Sequence, residues 1–152
     1  MPGLRVAVTA VALLAWAAGV VAAPSSGAAD SPVGLWRTFD EKSGAAKALI
    51  RIVEADGRYT GHIEQSFKPD AASRVCDVCS DDRHDKPIIG LEIIRGITRH
   101  DDEFSGGEIL DPESGTVYRC RMHLEDGGRK LSVRGYIGIS LLGRSQTWVR
   151  EP

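Results

Sequence analysis

From Val33 to the C-terminus, apolar and polar residues alternate in short runs, and turn residues recur about every ten to fifteen positions. This is the pattern of half-buried antiparallel strands, and no segment carries a convincing helical period. The clearest run is Tyr118 to Glu125: Tyr118, Cys120, Met122 and Leu124 share one face, and Arg119, Arg121, His123 and Glu125 share the other. Arg58 to Glu64 reads the same way, with Tyr59, Gly61 and Ile63 inward. Turn chemistry at 40–44, 55–57, 101–102, 111–115 and 126–128 separates the runs. Strands are predicted near 33–39, 46–54, 58–66, 88–98, 104–110, 116–125, 130–138 and 144–150. Eight short strands in succession predict an all-β fold, an antiparallel up-and-down barrel that removes exposed edges by closure. A two-sheet β-sandwich is the alternative. One long irregular stretch, Lys68 to Lys86, is polar and acidic and holds two of the three cysteines.

The first 29 residues break the pattern. Arg5 precedes an apolar run from Val6 to Val21, followed by the small residues of 22–29. That order is the signature of a secretory signal peptide, and the run is short of the ~20 residues a membrane span requires. Pro24 disfavours a cut after Ala23, so cleavage after Ala22 or Ala29 is expected. Residues 1–29 are therefore read as signal peptide and short linker, and 30–152 as a single domain in the periplasm or outside the cell. Removing the leader takes away one basic residue and no acidic one, leaving 18 Lys and Arg against 21 Asp and Glu. That balance gives a nucleic-acid backbone nothing to hold, and stable membrane insertion of the mature domain is not expected.

Export makes a disulfide the default for Cys76 and Cys79. A catalytic C-x-x-C pair needs thiols of depressed pKa, and Asp77, Asp81 and Asp82 around this one act the other way. A metal site would have to enlist His84 and Cys120, although Cys120 lies on the inward face of its strand as a small core residue does. The four histidines, His62, His84, His100 and His123, are scattered without metal-ligand spacing. There is no nucleophile elbow, zincin helix or phosphate-cradling loop, so no catalytic residue, metal or cofactor is assigned.

The hairpin spanning 116–138 is rich in arginine. A two-residue turn at Asp126-Gly127 would set Arg119 opposite Arg134, whereas a four-residue loop from Asp126 to Arg129 would set Arg121 there instead. Either register puts like charges across a strand pair, which is unfavourable unless an anion lies among them. A carboxylate such as Glu92 or Glu108, or a bound anionic ligand, would serve.

Gly34-Leu35-Trp36, with Arg144 and Arg150 near the other end, resembles the lipocalin and wider calycin signature. There, a glycine-x-tryptophan on the first strand packs beneath an arginine of the last and closes the barrel floor. Taken with Cys76-Asp77-Val78-Cys79, the 87–91 and 107–112 segments, Leu131 to Gly138 and Leu142 to Trp148, the chain resembles the exported bacterial domain-of-unknown-function family number 2147. The resemblance implies a lipocalin-like barrel and supplies no catalytic residues. One departure is Phe104, where that family often has tryptophan.

Ligand-binding candidates are Trp36, Tyr136, Arg144 and Trp148, together with Arg119, Arg121 and Arg134. The aromatic members serve equally as barrel-closing core. The expected role is non-catalytic binding of a small apolar or anionic envelope-derived molecule. The alternatives are an interaction protein presenting the arginine hairpin and acidic cysteine loop to another envelope component, and a thiol- or metal-dependent enzyme.

Overall fold

A computed structural model describes Gly3, Gly27 and residues 29–152, apart from the Ser140 side chain; the signal-peptide reading of 1–29 lies almost entirely outside the described residues. Eight strands follow one another: β1 (Gly34–Phe39), β2 (Ala46–Ala55), β3 (Arg58–Ser66), β4 (Glu92–His100), β5 (Glu103–Asp111), β6 (Thr116–Glu125), β7 (Lys130–Tyr136) and β8 (Arg144–Arg150). Each pairs antiparallel with the next, and β8 returns to β1 through Trp36↔Arg150 and Arg37↔Val149, so the sheet is a closed up-and-down barrel. The sandwich alternative is thereby excluded.

Several strand boundaries differ from the sequence reading by one to four residues, and two of the shifts have a visible backbone cause. The 88–98 strand begins instead at Glu92, because Pro87 forms an isolated bridge to Val75 and Gly90 turns the chain at φ 88°. The 130–138 strand stops at Tyr136, since Gly138 adopts φ 74° and leads the chain out of the sheet.

Alternation sends one face of every strand inward. The lower half of the barrel is filled by bulky side chains, Trp36, Ile52, Ile97, Phe104, Met122 and Leu131, all essentially inaccessible. Tyr59 meets Phe104 edge to face at 5.1 Å between ring centroids, a favoured aromatic geometry. Outward positions are largely polar, as with Arg51 and Glu64, which form a two-pronged ion pair at 2.6 and 2.9 Å. This polarity is the reverse of a membrane-spanning barrel. Among the described residues no helix is long and apolar enough to cross a membrane.

The floor is closed by the glycine-x-tryptophan segment and Arg150. The Arg150 guanidinium lies 4.2 Å from the Trp36 ring centroid and donates to the carbonyls of Ser31, Val33 and Gly128, each at 2.7 Å. Trp36 Nε1 donates to the Pro32 carbonyl at 2.8 Å. Gly34 is required here: its φ is 144°, and a Cβ would stand 2.6 Å from Arg150 Nη1. Residues 30–152 thus supply a closed sheet, its floor and a continuous core.

Candidate functional site

Above the filled half the barrel is hollow. Positions that point inward at this level carry smaller residues, Ala48, Val133 and Gly135, with the β-branched Ile50 and Ile63. An eight-stranded barrel is just wide enough to be filled by side chains or to hold one small ligand, so this choice of residues decides which. The result is a cavity of about 730 Å³ lined by both aliphatic and polar side chains, opening between the β1–β2, β5–β6 and β7–β8 loops.

Most of the charged groups gather at the mouth. Trp148 is buried in the wall and donates through Nε1 to Gln146 Oε1 at 3.2 Å; Gln146 Nε2 donates to Glu41 Oε1 at 3.0 Å, and Arg144 Nε lies 3.5 Å from Glu41 Oε2. This chain runs from the core to the rim. On the opposite lip, Glu113 pairs with Lys47 at 3.1 Å and with Lys68. Burial would raise the Glu113 carboxyl, but hydrogen bonds from the two lysines outweigh it and hold the group below its ordinary value. Asp40 accepts from both the backbone and the hydroxyl of Ser43, which fixes the β1–β2 turn and lowers its own pKa. Tyr118, on the inward face of β6, borders the same region; Tyr136 borders it too, although its register opposite Arg119 sets its side chain on the outer face of β7.

The candidate residues therefore divide. Trp148, Tyr136 and Arg144 line the cavity, whereas Trp36 seals the floor below it. The arginine that closes over Trp36 is Arg150; Arg144 is at the mouth. Arg119, Arg121 and Arg134 stand on the outer surface and do not line the cavity. The four-residue loop is the one formed, with Arg121 opposite Arg134. The carboxylate beside Arg121 is Glu103, at 3.3 Å, from the neighbouring β5; Glu92 and Glu108 are engaged elsewhere. Arg134 Nη1 donates to Ser145 Oγ at 2.8 Å.

Cys76 and Cys79 form a disulfide within the 67–91 loop, and Cys120 is a free, buried thiol. Burial pushes the Cys120 pKa up to about 12, so this thiol is not a nucleophile at neutral pH. His84 Nδ1 lies 2.7 Å from the Cys79 carbonyl, away from Cys120. Among the described residues, no three His, Cys, Asp or Glu side chains converge as a metal site requires.

Sequence reasoning missed Arg83. It is 1 % exposed, the only charged side chain among the buried residues described. Its guanidinium donates to Asp81, to Glu108 Oε1 at 3.1 Å and to the Glu92 carbonyl at 3.4 Å. These contacts pin the acidic loop to the outer face of β4 and β5. Beside it, Arg95 grips Asp82 with two hydrogen bonds of 2.7 and 2.9 Å and reaches Glu92 at 3.1 Å. The hydrogen bond from Arg83 lowers the Asp81 pKa to about 2. A shallow cleft of about 260 Å³ lies against this network, but the cations lining it, Arg83, Arg95 and Lys86, already hold carboxylates. Only the loop's charge density signalled this arrangement in the sequence, and the partners Glu92 and Glu108 are too distant along the chain to be paired with it in advance.

Comparison with solved structures finds the same architecture in protein HP1028 from Helicobacter pylori, described as belonging to the lipocalin family. The two share 15 % identity over 79 % of this chain and 82 % of that one, with a TM-score of 0.68, a likeness that shows the fold alone. No curated protein matches the sequence. The family model for uncharacterized proteins conserved in bacteria, DUF2147, matches residues 34–150, from the glycine of the floor to the arginine that closes it, and the chain belongs to that family.

Proposed function

We infer that this protein is a carrier or sensor of a small, mainly apolar ligand with a polar end, held in the upper half of the barrel. The observation that supports this reading is the cavity of about 730 Å³, which combines aliphatic side chains from several strands with polar and charged groups. Cavities of that size, apolar with a few convergent polar groups, are where small ligands bind. The apolar body would occupy the space between Ile50, Ile63, Ile109 and Val133, and the polar end would meet Tyr118, Gln146 and the Glu41–Arg144 pair. The lipocalin description of the Helicobacter pylori neighbour fits the same reading. Export to the periplasm or the medium belongs to it as well: the Cys76–Cys79 disulfide suits an oxidising compartment, and the N-terminal pattern suits secretion.

The outer arginines favour this reading over an interaction protein built on the hairpin, since Arg121 has its counter-charge from Glu103 and Arg134 bonds Ser145. The test is displacement of a fluorescent long-chain fatty acid by extracts of the producing envelope, comparing wild type with Ala48→Trp. The indole would fill space against Ile50 and Val133. Loss of binding with unchanged far-ultraviolet circular dichroism is expected. Equal affinity in the two proteins would sink the cavity as the site.

A further inference from the structure

The polar side chains that border the cavity are almost all engaged within the protein. Thr38 donates to the Ala48 carbonyl at 3.4 Å, and Trp148, Gln146, Glu41 and Arg144 satisfy one another in the chain that runs from core to rim. Glu113 holds Lys47 and Lys68. Asp40 and Asp111 are taken up by their own turns, the first by Ser43 and the second by the Glu113 backbone N–H at 3.0 Å and the Ser114 hydroxyl at 2.9 Å. Of the side chains left, Lys42 is exposed in the β1–β2 turn and Tyr136 faces outward from β7.

Tyr118 is different. It stands on the inward face of β6, opposite Ile109, and its hydroxyl has no hydrogen-bond partner among the described residues. The sheet makes room for the ring: Gly135 is its diagonal neighbour on β7, and a Cβ there would lie 3.3 Å from Tyr118 Cβ and 3.5 Å from Tyr118 Cγ. A tyrosine hydroxyl withdrawn from bulk water ordinarily finds a partner, because an unmet donor costs free energy. One that has none in the protein and borders a ligand-sized cavity is available to the ligand.

Charge narrows the ligand further. An ionised head group leaving water needs an opposite charge of its own. At the mouth Glu41 is matched by Arg144 and Glu113 by Lys47 and Lys68, while Lys42 stays in solvent. Beside the aliphatic side chains neither a carboxylate nor an ammonium group meets an uncommitted counter-charge. A neutral carbonyl needs only a donor, and Tyr118 supplies it.

We propose that Tyr118 determines the specificity of the cavity: its hydroxyl donates to an uncharged carbonyl, so that long-chain acyl esters and amides are held in preference to the corresponding ionised acids and amines. This inference rests on the carrier reading above and names the ligand class for the same site.

The test is calorimetric titration at neutral pH with methyl decanoate, decanoate and decylammonium, using wild type, Tyr118→Phe and Ala48→Trp. Methyl decanoate should bind wild type more tightly than either ion, and Tyr118→Phe should weaken it about fivefold, as for the loss of one neutral hydrogen bond. The infrared carbonyl stretch of the bound ester should lie at lower frequency in wild type than in Tyr118→Phe, a difference that a packing role for the ring would not produce. Because the hydroxyl has no protein partner, Tyr118→Phe should unfold at the temperature of the wild type. The inference is overturned if Tyr118→Phe binds the ester as tightly with an unchanged carbonyl stretch, or if either ion binds wild type more tightly than the ester does. In both cases loss of binding in Ala48→Trp would keep the carrier reading. Failure of all three compounds to bind wild type would remove both.

Discussion

Replacing Arg150 with methionine keeps an aliphatic stem over Trp36 and removes the guanidinium that closes the barrel floor. Three hydrogen bonds to backbone carbonyls disappear, those to Ser31 and Gly128 partly buried and that to Val33 exposed. Charge-assisted bonds contribute about 1.5–3 kcal/mol each. Taking the lower figure for the two partly buried bonds, and letting water replace the exposed one, gives about 3 kcal/mol. The cation over the Trp36 ring at 4.2 Å adds about 1 kcal/mol. A loss of about 4 kcal/mol in a domain of this size lowers Tm by roughly 12–20 °C. The assay is thermal and urea unfolding followed by circular dichroism and by tryptophan fluorescence. The comparison variant is Arg144→Met, whose exposed pairing with Glu41 should contribute less than about 1 kcal/mol. If Arg150→Met unfolds within a degree or two of wild type, or if Arg144→Met is the more destabilised, the floor-closure argument is wrong.

Further outcomes concern the loop and the cysteines. Thiol titration without reductant should find no reactive thiol in the native protein and one after denaturation, because Cys120 is buried and the other two are joined; Cys76→Ser/Cys79→Ser should cost about 2 kcal/mol by the chain-entropy argument for so small a loop. Asp81 titrates at about 2 in the folded protein, below its ordinary 3.8, so its contribution is complete above about pH 3.8 and is lost as pH falls toward 2. Asp81→Asn should flatten acid unfolding over that window and, with the carboxylate partly exposed and Glu108 still in place, cost about 1–2 kcal/mol at neutral pH. Unchanged stability at pH 7 would show that Arg83 does not depend on Asp81.

The strands, their faces and the barrel class were legible in the amino-acid order, because period-two alternation is a local property and a turn residue acts on its own neighbours. Tyr118 to Glu125 forms a strand with the expected faces, and turns at Asp56, Asp101 and Asp126 take the left-handed conformation that Asp and Gly tolerate. The fourth strand's late start and the seventh's early stop were less legible, since both follow from positive φ at Gly90 and Gly138, a conformation that glycine permits but does not dictate.

Other features arise only when distant segments meet. Whether Arg144 or Arg150 covers Trp36 depends on how far β8 runs past β1, and the register Trp36↔Arg150 decides it. Arg83 is a buried cation only because Asp81, Glu92 and Glu108 surround it. The cavity depends on more still. It is the difference between the space that eight strands enclose and the summed volume of side chains contributed by all of them, a quantity to which no single segment of the sequence corresponds.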